Sequence, residues 1–272
     1  MTRPIADLLF PPVCAGCGER LPFGGFPRPE RTALCPACRE KWTAARQERC
    51  GICQKEVSAC VCAPQELEKA GCRAFCKLVY YRPGERDEVQ NRVIYRIKDR
   101  PDRGTTEFLV GELAVGVRAW LSDGENAEGR APFLVWLPRG RGAALEKGTD
   151  QAKELALALG RILAIPVYPM LVRRFGHGKQ QKTLSPAARM KNAAKAYRCR
   201  PMEEAKGGCA ILVDDIVTSG ASMAAGVRLL KRAGVKRFLS VAVGSDESNR
   251  TPPARQTAFT TELDRLYARG FR

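Results

Sequence analysis

The stretch Cys209-Ala-Ile-Leu-Val-Asp-Asp-Ile-Val-Thr-Ser-Gly-Ala-Ser-Met223 restricts the fold of this chain more than any other. Residues 209–213 form a compact apolar run of strand character, and Asp214 and Asp215 follow it directly. A turn of small residues comes next, and a helix is expected over 220–233, ended by Gly234. The turn residues Thr218, Ser219, Gly220, Ala221 and Ser222 can bring backbone N–H groups and hydroxyls around a phosphate, with the helix N-terminus behind them favouring negative charge. Carboxylates at the C-terminal end of a strand can accept hydrogen bonds from vicinal sugar hydroxyls and position a hydrated Mg²⁺. A sugar phosphate therefore satisfies both halves of the segment. The plain alternative, a capped helix beside two solvated acids, leaves the cost of placing acids after a buried strand without compensation. The chain has no GxxxxGK[ST] and no GxGxxG after a strand, which excludes the two common nucleotide-binding loops.

The residues around this segment repeat the same alternation. Strands are expected at 78–81, 133–137, 166–172 and 238–243, and helices at 89–97 and 107–120. Asp150 is placed to cap a further helix, whose apolar positions Ala152, Leu155, Ala156, Leu159, Ile162 and Leu163 follow helical spacing. Strands alternating with helices imply an α/β fold, a mostly parallel sheet with helices on both faces. Beyond Gly244 the chain turns polar, with one short helix candidate at 262–268.

The N-terminal part has a different texture. Ten of the 12 cysteines lie in the first 76 residues, where periodicity is weak and residues 22–29 are rich in Pro and Gly. Such a segment needs an internal staple. Cys14-Ala-Gly-Cys17 and Cys35-Pro-Ala-Cys38 are CxxC knuckles 17 residues apart, the spacing of a zinc ribbon. A second set, Cys50, Cys53, Cys60 and Cys62, has CxC in place of its second CxxC, so two alternatives stand beside it, Cys72 or Cys76 replacing one member, or a degraded site that leaves a single zinc. Four thiolates leave no open coordination position, so the role of zinc is structural. Thiolate use rather than disulfides points to a reducing, cytoplasmic setting. The expected organisation is a double zinc-ribbon head over 1–70, an α/β domain over 75–245 and a polar tail over 246–272.

Lys and Arg number 46 against 29 Asp and Glu, a formal net charge of +17 that favours phosphorylated or nucleic-acid partners. Residues 173–200 hold nine Lys and Arg and no acid, and Arg173, Arg174, Lys179 and Lys182 are candidate contacts to single-stranded DNA. His177, the single histidine, reads as a solvated residue of this basic loop. The N-terminus is broken by Asp7, Pro11 and Pro12 and does not read as a secretory signal. Residues 155–172 are apolar but contain Gly160, Arg161, Pro166 and Pro169, which argues against insertion into a membrane.

The 209–223 segment resembles the phosphoribosyl-pyrophosphate signature of type I phosphoribosyltransferases, and the order of features along the chain resembles one family, the competence-associated ComF proteins. There a double zinc ribbon precedes an LKY-like motif, similar to Ile97-Lys98-Asp99, and a strand ending in a Pro-containing loop, similar to Val135-Trp136-Leu137-Pro138. The family's RGFNQ motif is matched loosely by Lys147-Gly148-Thr149-Asp150-Gln151, and its later polar positions by Gln181, Arg189, Asn192 and then Tyr197. The resemblance implies a type I phosphoribosyltransferase-like sheet in which Asp214 and Asp215 serve the ribose hydroxyls as the catalytic acids. The backbone and side chains from Ile216 and Val217 through Ser222 would hold the 5-phosphate, and Pro138, Arg139, Gly140 and Arg141 would lie near pyrophosphate. It implies Mg²⁺ with phosphoribosyl pyrophosphate and a role in DNA uptake by handling single-stranded DNA, beside a helicase-like competence protein. The alternative is an active Mg-dependent phosphoribosyltransferase with a nitrogen acceptor.

Overall fold

The computed structural model describes residues 12–21, 33–99, 101–122, 131–139, 150–174 and 195–246. Helices α1 (Pro36–Gln47) and α2 (Gln65–Ala70) belong to the cysteine-rich part and lead into strand β1 (Ala74–Tyr80). Helices α3 (Val89–Asp99) and α4 (Arg103–Ser122), strand β2 (Pro132–Trp136) and helix α5 (Gln151–Leu163) follow. The chain continues through the short strands β3 (Leu171–Arg173) and β4 (Tyr197–Cys199) to β5 (Cys209–Val217), α6 (Ala221–Arg232) and β6 (Arg237–Ser245).

Strands β1, β6, β5 and β2 form one sheet in that order, every pairing parallel. Because side chains alternate along a strand, β5 sends Ile211 and Val213 to one apolar cluster and Ala210 and Leu212 to the other. The first cluster joins the sheet to α3, α4 and α5 through Leu109, Leu113, Leu155 and Leu159, and the second joins it to α2 and α6 through Leu67, Ala224, Val227 and Leu230. Burial on both faces accounts for the nearly continuous apolar runs of β5 and β6, as in parallel sheets generally.

Three features depart from the sequence reading. Strand β5 runs on to Val217, because Asp214, Ile216 and Val217 pair with Ala242, Gly244 and Ser245 of β6. The two acids thus lie inside the strand's C-terminal half rather than after it. The strand expected at 166–172 is reduced to a single parallel bridge from Val167 to Leu134, and Leu171–Arg173 instead pairs antiparallel with β4. Pro166 and Pro169 have no N–H to continue a ladder, which stops the sheet there. The cysteine-rich part also contains α1, whose buried face is only Cys38, Trp42 and Ala45, too short an apolar stripe to register as periodicity. Pro36 in its first turn costs no helical hydrogen bond.

Helix α1 packs onto the α/β layer. The rings of Trp42 and Phe108 of α4 lie 5.7 Å apart, and Cys14, Ala15, Leu34 and Trp42 are part of the same apolar cluster as the sheet. The helix candidate at 262–268 and the tail beyond 246 lie outside the described residues.

Candidate functional site

The carboxylates of Asp214 and Asp215 are presented near the C-terminal end of β5, beside the segment that leaves β2. Leu137 N–H donates to Val213 O at 3.0 Å, so the Leu137-Pro138-Arg139 exit runs alongside the acids. Asp215 is buried, and its carboxylate pairs with the Arg139 guanidinium and lies 3.8 Å from Lys98 Nζ. Asp214 is half-buried, and burial together with the neighbouring Asp215 charge pushes its carboxyl well above the ordinary range. The two acids therefore stand in opposite states: Asp215 compensated by two cations, Asp214 held toward its neutral form. The backbone N–H groups of Asp215 and Ile216 donate to the Asp214 and Asp215 carboxylates at 2.8 and 2.7 Å.

Asp150 fixes the approach of Arg139. Its carboxylate accepts from Arg139 N–H at 3.2 Å and, as N-cap of α5, from Lys153 N–H at 3.4 Å. Burial raises the Asp150 pKa, against these backbone donors. Gln151 Nε2 donates to Lys98 O at 3.3 Å, tying the end of α3 to the same corner.

After β5 the chain enters the turn that is the candidate anion-binding site. Gly220 takes φ +76°, a left-handed conformation that glycine adopts without strain, and it is the N-cap of α6. Thr218 is exposed, while Gly220 and Ala221 are buried against Pro64 and Leu67 at the start of α2. Gly220 has no side chain to cap α6; the Ala221 N–H donates to Ser219 Oγ at 3.4 Å from within the turn. Ser222 hydrogen-bonds the Tyr197 hydroxyl, and Arg173 donates to that hydroxyl at 3.1 Å with its guanidinium 5.4 Å from the ring. Arg173, a candidate DNA contact in the sequence, is thereby joined to Tyr197 of β4. Tyr197 is buried, with burial raising its pKa.

Both cysteine sets assemble as spaced in the sequence. The sulfurs of Cys14, Cys17, Cys35 and Cys38 lie within 4.8 Å of one another, and so do those of Cys50, Cys53, Cys60 and Cys62. A zinc ion with four thiolates at ~2.3 Å has sulfur–sulfur edges of about 3.8 Å, and Cys17 and Cys35 are separated by 3.8 Å. Backbone N–H groups approach the sulfurs, Cys35 N to Cys14 Sγ at 3.2 Å and Cys62 N to Cys60 Sγ at 3.4 Å, as metal knuckles require. A Cβ at Gly16 would stand 2.8 Å from Cys38 Sγ, so the first knuckle admits no side chain there. Both groups fit a tetrahedral ion such as zinc, the second despite its single intervening residue. Cys72 and Cys76 join neither group: Cys72 Sγ lies 3.2 Å from Ser240 Oγ, and burial pushes the two thiols up to about 11 and about 12.

A separate basic cleft of about 290 Å³ opens where β3 and β4 cross the C-terminal end of α6. Arg174, Arg198 and Arg232 line it over a floor of Leu229, Ala233 and Pro201. Gly140, Arg141, His177, Lys179, Lys182, Gln181, Arg189 and Asn192 lie outside the described residues. Among residues the sequence reading did not single out, Pro64 and Lys77 carry no motif, and only their burial in the fold reveals them. No described helix is long and apolar enough to cross a membrane.

Residues 145–264 match the phosphoribosyl transferase domain family, a span that contains the Asp214–Asp215 strand, the turn and α6. The described fold is a parallel α/β sheet with flanking helices and a cysteine-rich module before it, and its C-terminal part is similar to phosphoribosyl transferase domains. The chain is similar to the solved structure of adenine phosphoribosyltransferase from Leishmania tarentolae, with 13% identity and a TM-score of 0.32 over 55% of this chain and 74% of that one. No curated protein matches the sequence.

Proposed function

We propose that the protein binds phosphoribosyl pyrophosphate with Mg²⁺ at the C-terminal edge of the sheet, as a ComF-like protein with a type I phosphoribosyltransferase domain. The observation that carries this reading is the sequence of paired acids, left-handed Gly220 and the N-terminus of α6 within a few residues of one another at the end of β5. Asp214 and Asp215 accept from the ribose hydroxyls, and Thr218 to Ser222 hold the 5-phosphate with Arg173 and Tyr197 behind it. Arg139, leaving Asp215, turns to the pyrophosphate, with Pro138 on that side. Lys98 stays with Asp215 and keeps its charge compensated. Magnesium bound with the ligand neutralises pyrophosphate charge and strengthens it as a leaving group. If turnover occurs, the bond from the ribose anomeric carbon to pyrophosphate breaks and a bond to an acceptor nitrogen forms, driven by positioning and electrostatics. The two four-cysteine groups hold structural zinc.

Thermal unfolding with and without Mg²⁺ and phosphoribosyl pyrophosphate tests the binding, which should raise the midpoint. Pyrophosphate release against a panel of nitrogen bases then separates an enzyme from a binding module: release supports turnover, and binding without release supports the module.

A second reading, single-stranded DNA handling during DNA uptake, is favoured by the cleft of Arg174, Arg198 and Arg232. Among the described residues none of the three pairs with a carboxylate. Replacing all three with Ala should lower the salt dependence of oligonucleotide binding by up to about 0.7 in slope per lost phosphate contact. An unchanged slope would remove DNA from this cleft, and with it the argument for a helicase-like partner.

A further inference from the structure

Lys77 is a charged side chain in the middle of a parallel strand, 1% exposed. Its ammonium donates to Cys60 O at 3.0 Å, to Cys60 Sγ at 3.2 Å and to Cys62 O at 3.4 Å. Among the described residues no carboxylate lies within ion-pair distance of it. A buried ammonium without a counter-charge is strongly unfavourable. The one anionic group within reach is the set of four sulfurs at Cys50, Cys53, Cys60 and Cys62, where a divalent ion and four thiolates carry about two net negative charges. The sheet thus supplies the counter-cation of the second centre.

That centre is continuous with the anion-binding turn. Cys62 is followed by Ala63, which is fully buried, and by Pro64, whose ring lies directly on Gly220. A Cβ built on Gly220 would meet Pro64 Cβ at 2.9 Å and Leu67 Cγ at 3.6 Å. Helix α2, which begins at the next residue, packs along α6, and Glu66 faces Arg228 at 3.7 Å. One residue, Ala63, therefore separates Cys62 of the second centre from the Pro64 contact that backs the left-handed glycine.

We propose that the second four-cysteine centre is the seat of the anion-binding turn: its metal, with Lys77 as counter-cation, holds Pro64 against Gly220 and so sets the turn's shape for phosphate. The inference rests on the reading of that turn as a phosphoribosyl pyrophosphate site, but its first test is independent of any ligand. The amides of Ala224 and Asp246 report the turn from both ends, since they donate to Gly220 O at 2.8 Å and Val217 O at 2.9 Å.

The experiment uses the full chain and three variants, Cys53→Ser, Lys77→Met and Pro64→Ala, with Cys17→Ser in the first centre as reference. Zinc content, amide exchange at Ala224 and Asp246, and phosphoribosyl pyrophosphate binding are read on each. Cys53→Ser and Lys77→Met should lose one of about two zinc ions per chain, and exchange at both amides should rise about tenfold or more. Pro64→Ala should keep both ions yet speed the same amides, because it cuts the link below the metal. Cys17→Ser should lose its own ion and leave those amides close to wild type. If Cys53→Ser does not fold, Lys77→Met and Pro64→Ala carry the test. Loss of the second ion with unchanged exchange at Ala224 and Asp246 overturns the proposal, as does a wild type holding no metal at the second centre. Absence of phosphoribosyl pyrophosphate binding in the wild type would instead count against the ligand reading, and the exchange result would still decide this one.

Discussion

Arg139 and Asp215 form an ion pair across the C-terminal edge of the sheet, joining the exit of β2 to the acid-bearing end of β5. Lys98 stands on the other side of the same carboxylate at 3.8 Å, so one buried acid balances two cations from separate elements. Asp214, one residue earlier, forms no ion pair among the described residues, and burial with the Asp215 charge outweighs the pull of Lys98 on it. Substituting each acid with its amide should therefore have opposite effects on the unliganded protein. Asp215→Asn leaves Arg139 and Lys98 facing each other and should destabilise the fold by about 1–3 kcal/mol, below the full cost for a completely buried pair because both cations keep partial exposure. Asp214→Asn removes a burdened carboxylate and should raise stability. Urea denaturation of the two variants reads both signs.

Protonation of Asp214 should be visible in ligand binding. Its folded-state pKa lies above the unfolded value, so the folded chain retains a proton between the two. Stability of the unliganded protein from this group is then fully present below the unfolded value near ~3.9 and declines as pH rises through the raised folded pKa. A ligand that requires the carboxylate releases that proton, so affinity for Mg²⁺ and phosphoribosyl pyrophosphate should fall as pH falls through the same window. Calorimetry in buffers of different ionisation enthalpy measures the proton released, and Asp214→Asn should abolish it.

Gly220 is constrained from two directions, by φ +76° and by Pro64, which an added Cβ would meet at 2.9 Å. Gly220→Val should cost at least about 1–3 kcal/mol from the left-handed conformation alone. It should also abolish phosphate binding, since the turn must open away from Pro64 to admit the side chain. Gly18, also at positive φ but with nothing within 4 Å of its Cβ position, supplies the comparison: Gly18→Ala should carry the conformational cost and leave ligand binding intact.

Metal removal should unfold more than the cysteine-rich segment. Trp42 of that segment packs on Phe108, and both belong to the apolar cluster that covers one face of the sheet. A chelator under reducing conditions should therefore lower the midpoint of the whole chain in a single transition, with zinc released at about two ions per chain. Two separate transitions would mean that the segment folds independently.

The central alternation of strands and helices was legible because β1, β2, β5 and β6 are buried on both faces and α3 to α6 follow helical spacing. The cysteine groups were legible because metal knuckles impose local spacing, and the strand, turn and helix around Asp214 to Ser222 because they lie within one continuous segment. What escaped was assembled from distant parts. Asp150 was read as a helix cap and as part of a loosely matched motif, yet it also holds the Arg139 backbone, a contact spanning 11 residues of chain. Arg173 was read within the basic run around it, and its hydrogen bond to Tyr197, 24 residues away, carries no local signal. Lys77 sits in the run Phe75-Cys76-Lys77-Leu78, where a lysine reads as surface, and only the sulfurs of a different segment account for its burial. The strand at 166–172 was over-extended because its apolar content was weighed above the two prolines that interrupt its hydrogen bonding.

Titration calorimetry of Mg²⁺ and phosphoribosyl pyrophosphate into the zinc-loaded full chain, repeated with Asp214→Asn and Gly220→Val, tests the central claim most directly. Saturable binding at one site per chain, requiring Mg²⁺ and lost in both variants, is the expected result. Binding of equal strength in wild type and Gly220→Val, or no binding to the folded wild type, would contradict it.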